Sequence, residues 1–316
     1  MNFRQQISAN KRDSWLLMIV LFLVLVVLGF VIGYAYWGST YGGLGLLGVF
    51  GVAAIIWSIV GYYTGASIAL AVSGAHEVTH EQAPQLWNVV EEMSVASGLP
   101  MPKVYVIDSD APNAFATGRD PQHSAIAVTR GLLAKLNREE LQGVIGHEMS
   151  HVRNYDIRFA TLVGIMVGLI ALIADFFLRW GFFFGGGRGR RGGDSGGGNP
   201  IIFIIAIALA ILAPLSAYMV QFAISRRREY LADASSAELT RNPMGLASAL
   251  EKIAADPTPL KQSNRATAHL YISNPARATK ERAGLFDTHP PIKERIARLR
   301  AMAFMPPAPA VPQGDQ

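Results

Sequence analysis

His147 and His151 stand four positions apart with a carboxylate beside the first, in the run His147-Glu148-Met149-Ser150-His151. On a helix, residues i and i+4 share one face, so two imidazoles at this spacing can grip a single ion. Zinc suits such a pair, and a catalytic zinc site keeps three protein ligands and one open position. Glu148 is then placed to take a proton from an attacking water, the chemistry of peptide hydrolysis. The same spacing recurs at His76-Glu77-Val78-Thr79-His80. That second run has no helical apolar periodicity and no matching later carboxylate, so it is not expected to be catalytic, although a secondary metal site there stays open.

The 316 residues include no cysteine, so any metal must be held by histidine and carboxylate. Disulfides are excluded, and a reducing compartment fits. Hydrophobic residues make up 51% of the chain, which points to a membrane. The net charge of +5 is modest and fits an anionic lipid surface at least as well as a nucleic acid. Arg188, Arg190 and Arg191 lie in a glycine-rich stretch that reads as a linker. No nucleic-acid partner is expected.

The metal motif needs a helix, and Asn137 offers its N-cap with Glu140 three residues later, which predicts a helix from near Arg138. Upstream, Leu86, Val89, Val90 and Met93 recur at helical spacing within Ala83 to Ser97, and Gly98 and Pro100 end that helix. Val104 to Ile107, Ala114 to Thr117 and Ala125 to Val128 read as short strands joined by short links, which predicts a small antiparallel sheet. Trp15 to Tyr36 and Leu44 to Ala66 carry no charge and are each long enough to span a bilayer. The first is too long for a signal peptide and shows no cleavage pattern. Arg4, Lys11 and Arg12 precede it, so the N-terminus is expected in the cytoplasm.

Segments 159–184 and 201–224 form a second apolar pair around the Gly/Arg-rich linker 185–199. The linker arginines oppose the positive-inside preference if that pair crosses the membrane. Either the early spans set the orientation, or the second pair does not fully cross. Arg226 to Arg228 form a basic cluster at the membrane surface, Glu229 to Ile253 is helix-like, and Pro290 to Leu299 reads as a short final helix. The expected organisation is a membrane hairpin at 1–66, half a catalytic domain at 67–156, a second hairpin at 157–224, the other half at 225–304, and a disordered tail at 305–316.

The motif lies just before the third apolar segment and Glu229 just after the fourth. If the helices continue, both stand on the order of 10 Å beyond the apolar segments on the same side. Glu229 is therefore a plausible third ligand. Asp233, at i+4 from it, can orient a ligand histidine through its other ring nitrogen.

These features resemble the HtpX family of membrane-bound zinc metallopeptidases. The carrying residues are His147 to His151, Arg228-Glu229-Tyr230-Leu231-Ala232-Asp233-Ala234, Asn113-Ala114-Phe115-Ala116-Thr117-Gly118 and Thr288-His289-Pro290-Pro291, in that setting of four apolar segments. The resemblance implies an α+β, mainly helical integral membrane protein with about four transmembrane helices and a zincin-like domain. It implies one zinc per chain, held by His147, His151 and Glu229, with Glu148 as catalytic carboxylate. It also implies a substrate-binding strand at Asn113, Ala114, Phe115, Ala116 and Thr117, with His289 as an oxyanion stabiliser. The family setting is the bacterial plasma (inner) membrane, with a cytoplasmic active site acting on unfolded or misfolded membrane proteins in quality control and stress response. The linker at 185–198 is richer in glycine than the family pattern.

Other classes predict different features. A metal-ion transporter places its ligands inside the apolar spans, whereas these fall outside. A zinc-stabilised scaffold without activity needs four protein ligands, for which His289 is the available fourth. A prenyl-protein-type endopeptidase has more membrane spans. Oligomeric state, cleavage preference and self-cleavage leave no mark in the sequence.

Overall fold

The computed structural model describes residues 3–185, 226–260, 267–273 and 290–304. The expected fourth span, the Gly/Arg linker, His289 and the tail lie outside them.

Two long helices open the fold, α1 (Phe3–Trp37) and α2 (Thr40–Val72). Their apolar stretches, Ile7–Tyr34 and Thr40–Val72, are each long and apolar enough to cross a membrane. Trp15, Ile19, Leu23 and Val27 on α1, with Leu44, Val52, Ile55 and Ile59 on α2, are exposed. A belt of large apolar side chains of this size marks an interaction surface and fits a lipid environment. The two helices cross closely at Gly33, where an added Cβ would come within 2.3 Å of the Gly42 carbonyl oxygen.

The sheet comprises β1 (Ala75–Glu77), β2 (Lys103–Ile107), β3 (Ala114–Gly118) and β4 (Ser124–Thr129), in the order β1-β2-β4-β3. The antiparallel expectation is corrected here: β1/β2 and β3/β4 are antiparallel, but β2 and β4 run parallel, so the sheet is mixed. The β3–β4 hairpin swings round so that β4, not the sequence neighbour β3, docks on β2. That choice buries β4 completely and leaves β3 at the edge. Alternate residues serve opposite faces. Val104, Val106, Ala114, Ala116, Ile126 and Val128 join one core, while Ile107, Phe115, Ala125 and Ala127 join another with Leu70 and Tyr271.

Helices α3 (Pro84–Ser97), α4 (Arg130–Lys135) and α5 (Arg138–Arg153) complete the first half of the body, with α3 and α5 packed on the first sheet face. Asn137 and Glu140 form a reciprocal capping box at the start of α5, each bond 2.9 Å long. After α6 (Asp156–Gly185), α7 (Arg226–Thr240) and α8 (Pro243–Ala255) close over α5, and α9 (Ile292–Ala303) packs on α8 and α7. Phe159, Leu162, Val163 and Met166 at the base of α6 pack against Leu21, Leu25 and Leu28 of α1. The membrane helices are thus continuous with the body that carries the metal motif.

Candidate metal centre

His147 and His151 lie one turn apart on α5, with their Nε2 atoms only 3.2 Å from each other. Glu229, in the first turn of α7, reaches both: Oε2 is 3.9 Å from Nε2 of His147, and Oε1 is 3.6 Å from Nε2 of His151. One ligand atom from each of the three lies within 4.8 Å of the others, the geometry of a group that can hold a metal ion. His147 and Glu229 are buried, and His151 faces the cleft.

Close helix packing makes this convergence possible. A Cβ at Gly143 would come within 2.6 Å of the Leu246 backbone nitrogen on α8, and Ser236 of α7 donates to the Gly143 carbonyl oxygen at 2.6 Å. Glu229, Asp233 and Ser236 recur at helical spacing on the buried face of α7, so seating Ser236 against α5 also aims the two carboxylates at the histidines.

Each histidine has a carboxylate on its second ring nitrogen. Oδ1 of Asp233 is 3.0 Å from Nδ1 of His147. Oδ2 of Asp156 is 2.9 Å from Nδ1 of His151. Such bonds hold the tautomer whose Nε2 is free to bind a metal. Burial lowers the pKa of His147 to about 4, so it is neutral. Burial acts the same way on His151, but the Asp156 bond and the nearby carboxylates outweigh it and raise that histidine to about 9. Burial, with the Glu229 charge adding to it, raises Glu148 to about 7. The backbone N–H of Ala116 on β3 donates to the Glu148 carboxylate.

Asp233 is in turn held by Arg295 of α9, a fully buried guanidinium that also donates to the Ile272 carbonyl oxygen at 3.2 Å and lies 3.4 Å from Glu229. Spacing in the sequence does not reveal Asp156 or Arg295. Asp156 lies five residues past His151, beyond the end of α5. Arg295 does leave a signal: it falls among Ile292, Ile296 and Leu299, on the apolar face of its helix.

The expected substrate strand is β3, at the sheet edge and lining the cleft through Ala116. Part of its outer edge is engaged within the chain. Ile272 N–H donates to the Ala114 carbonyl oxygen at 2.9 Å, and Asn113 Nδ2 donates to the Ser273 carbonyl oxygen at 2.9 Å. Phe115 packs edge-on against Tyr271, and Thr117 shares a hydrogen bond with Thr161. The second histidine pair stands apart from this centre. His76 lies in β1, and His80 is exposed and bonded to Asn88, so these two do not share a helix face.

The model of peptidase family M48 matches residues 80–303. A protease HtpX homolog of Listeria monocytogenes serovar 1/2a is 47% identical over 94% of this chain and 99% of its own length. The homolog from Levilactobacillus brevis is 47% identical with the same coverage. That of Dictyoglomus turgidum is 46% identical over 95% of both chains. A crystal structure of S. mikatae Ste24p is similar at 18% identity and a TM-score of 0.49, covering 91% of this chain and 66% of that one.

Proposed function

The chain belongs to peptidase family M48 and groups with its HtpX homologues, and from that premise we propose that this membrane metallopeptidase is a zinc-dependent endopeptidase. Its substrates would be unfolded or misfolded membrane proteins, cleaved at the cytoplasmic side of a bacterial plasma membrane. The observation that carries the reading is the convergence of His147, His151 and Glu229 with buried Glu148 beside them.

The donor set fits zinc. Two imidazoles and a carboxylate leave a tetrahedral ion one open position, and bonds of about 2.0–2.1 Å set neighbouring ligand atoms about 3.3 Å apart. The two Nε2 atoms are 3.2 Å apart here. His147, His151 and Glu229 would hold the ion, one per chain. Zinc, when bound, lowers the pKa of water and polarises a peptide carbonyl.

The chain's own residues supply the rest. Glu148 takes a proton from the attacking water and passes it to the leaving amine. Asp233 and Asp156 hold the histidine rings in place. The segment Asn113, Ala114, Phe115, Ala116 and Thr117 offers an edge for an extended peptide, which favours unfolded segments. Ile272 occupies the Ala114 end of it and Glu148 accepts from the Ala116 N–H, so an incoming peptide displaces these contacts. His289 is assigned the oxyanion role by resemblance alone. The exposed belt on α1 and α2 supports a membrane setting, and Arg4, Lys11 and Arg12 ahead of the uncharged run from Trp15 support a cytoplasmic N-terminus. The division into two membrane hairpins alternating with two halves of a catalytic domain is proposed on the same footing.

The test is to purify the full chain in detergent, strip it with a chelator, and follow cleavage of an unfolded membrane protein. Cleavage should stop on stripping and return with zinc. Zinc uptake without cleavage would favour a non-catalytic scaffold instead.

A further inference from the structure

Asn10 belongs to the first membrane helix, five residues before Trp15, yet it is only 2% exposed and makes three polar contacts with residues that flank or hold the metal ligands. Its Nδ2 donates to Oδ1 of Asp156 at 2.6 Å and to the carbonyl oxygen of Asn154 at 2.8 Å. Its Oδ1 accepts from Nη1 of Arg228 at 3.2 Å. Both amide hydrogens and the amide oxygen are therefore engaged. Asn154 is the C-cap of α5, Asp156 opens α6, and Arg228 directly precedes Glu229 on α7.

We propose that Asn10 is a positioning residue through which the first membrane helix sets the metal site. The carboxylate it grips by Oδ1 is the one whose Oδ2 holds Nδ1 of His151. The route runs from Asn10 to Asp156 to His151, with a side branch through Arg228 to the backbone next to Glu229. The backbone between α5 and α6 is sharply turned, with Tyr155 at φ 61°. A short αL junction of this kind fixes the Asp156 backbone, and the Asn10 amide then selects the side-chain orientation that faces His151. Loss of the amide frees Asp156 to turn toward Arg228, whose Nε is already 3.8 Å from Oδ1. A helix that also packs against α6 through Leu21 and Leu25 thereby ties its own seating in the bilayer to the metal ligand's geometry.

The inference rests on His151 being a zinc ligand, and the experiment separates the two claims. Zinc affinity is measured by competition with a chelator on the full chain in nanodiscs, for wild type, Asn10→Ala, Asn10→Leu, Asp156→Asn and His151→Ala. Asn10→Leu keeps the approximate shape and removes the amide donor and acceptor without placing a charge beside Asp156. The expected result is a loss of affinity of about 10-fold for both Asn10 variants and about 10- to 100-fold for Asp156→Asn. Turnover should fall through kcat with KM little changed. Asn10→Leu within two-fold of wild type would overturn the positioning role, since a packing role alone survives a neutral change of similar shape. Wild type that takes up no zinc, or His151→Ala that binds it as tightly, would overturn the site assignment and this inference with it. Ser14→Ala, one turn further along α1 and also buried, should leave affinity unchanged and controls for general loosening of the helix.

Discussion

Arg295 grips Asp233 through two parallel contacts, Nε to Oδ2 at 2.9 Å and Nη2 to Oδ1 at 2.7 Å. Both groups are buried, and Asp233 is the carboxylate that holds His147. Removing the guanidinium strands a buried charge. Arg295→Met should therefore lower stability by about 3–5 kcal/mol. Arg295→Lys should recover little of it, because an ammonium cannot reproduce the planar fork. Denaturant unfolding of the variants checks this. A lysine variant as stable as wild type would show that the fork geometry does not matter.

Metal uptake should release a proton. Against its burial, the Asp156 bond raises His151 to about 9, so the metal-free site holds it charged at neutral pH. A metal binds the neutral ring, so near pH 7.5 about one proton should leave per ion bound. Calorimetry in buffers of different ionisation heat counts it. Asp156→Asn should reduce the count, because it removes the group that holds the proton on the ring.

Stability should fall in acid partly through Glu140. Burial raises its pKa, but Lys252 at 2.7 Å, Ser248 at 2.6 Å and the Asn137 N–H at 2.9 Å outweigh this and hold it below the ordinary 4.5. A carboxyl with a depressed folded pKa contributes stability above its unfolded value and loses it as pH falls through the folded one. Glu140→Gln should cost about 1–3 kcal/mol at neutral pH. The cost should shrink below pH 4.5, and chemical unfolding at several pH values measures the trend. A cost that does not change with pH would contradict the charge-based account.

Alanine normally stabilises a helix relative to glycine, by about 1 kcal/mol. At Gly143 the sign should reverse, because the new methyl would meet the backbone of Leu246 at 2.6 Å and 2.8 Å. Gly143→Ala should push α8 off α5, lowering the unfolding midpoint. An unchanged or raised midpoint would mean that the two helices do not approach this closely.

Much of this centre is legible in the amino-acid sequence. The histidine pair, the Asn137 cap and the long apolar helices are local patterns, and Glu229 is expected near the pair if the two later apolar segments return the chain to one height. The features that local patterns do not show depend on contacts distant in sequence. The β2–β4 pairing is parallel because a hairpin docks by its second strand, and no local periodicity records which strand docks. Asp156 reaches His151 only because the chain turns sharply at Tyr155. Arg295 meets Asp233 across 62 positions, and its only trace is a charged residue on an apolar stripe. Asn10 reads as part of a polar leader to a membrane helix, since the residues it bonds are more than 140 positions away.

If Glu148 performs the proton transfers beside a metal held by its neighbours, its amide variant should keep the metal and lose the chemistry. Glu148→Gln, purified in detergent and loaded with zinc, tests it most directly when metal content and cleavage of an unfolded membrane protein are measured on the same sample. Zinc should bind as in wild type, with cleavage slower by about 10²- to 10⁴-fold. Zinc bound and cleavage at the wild-type rate would contradict it.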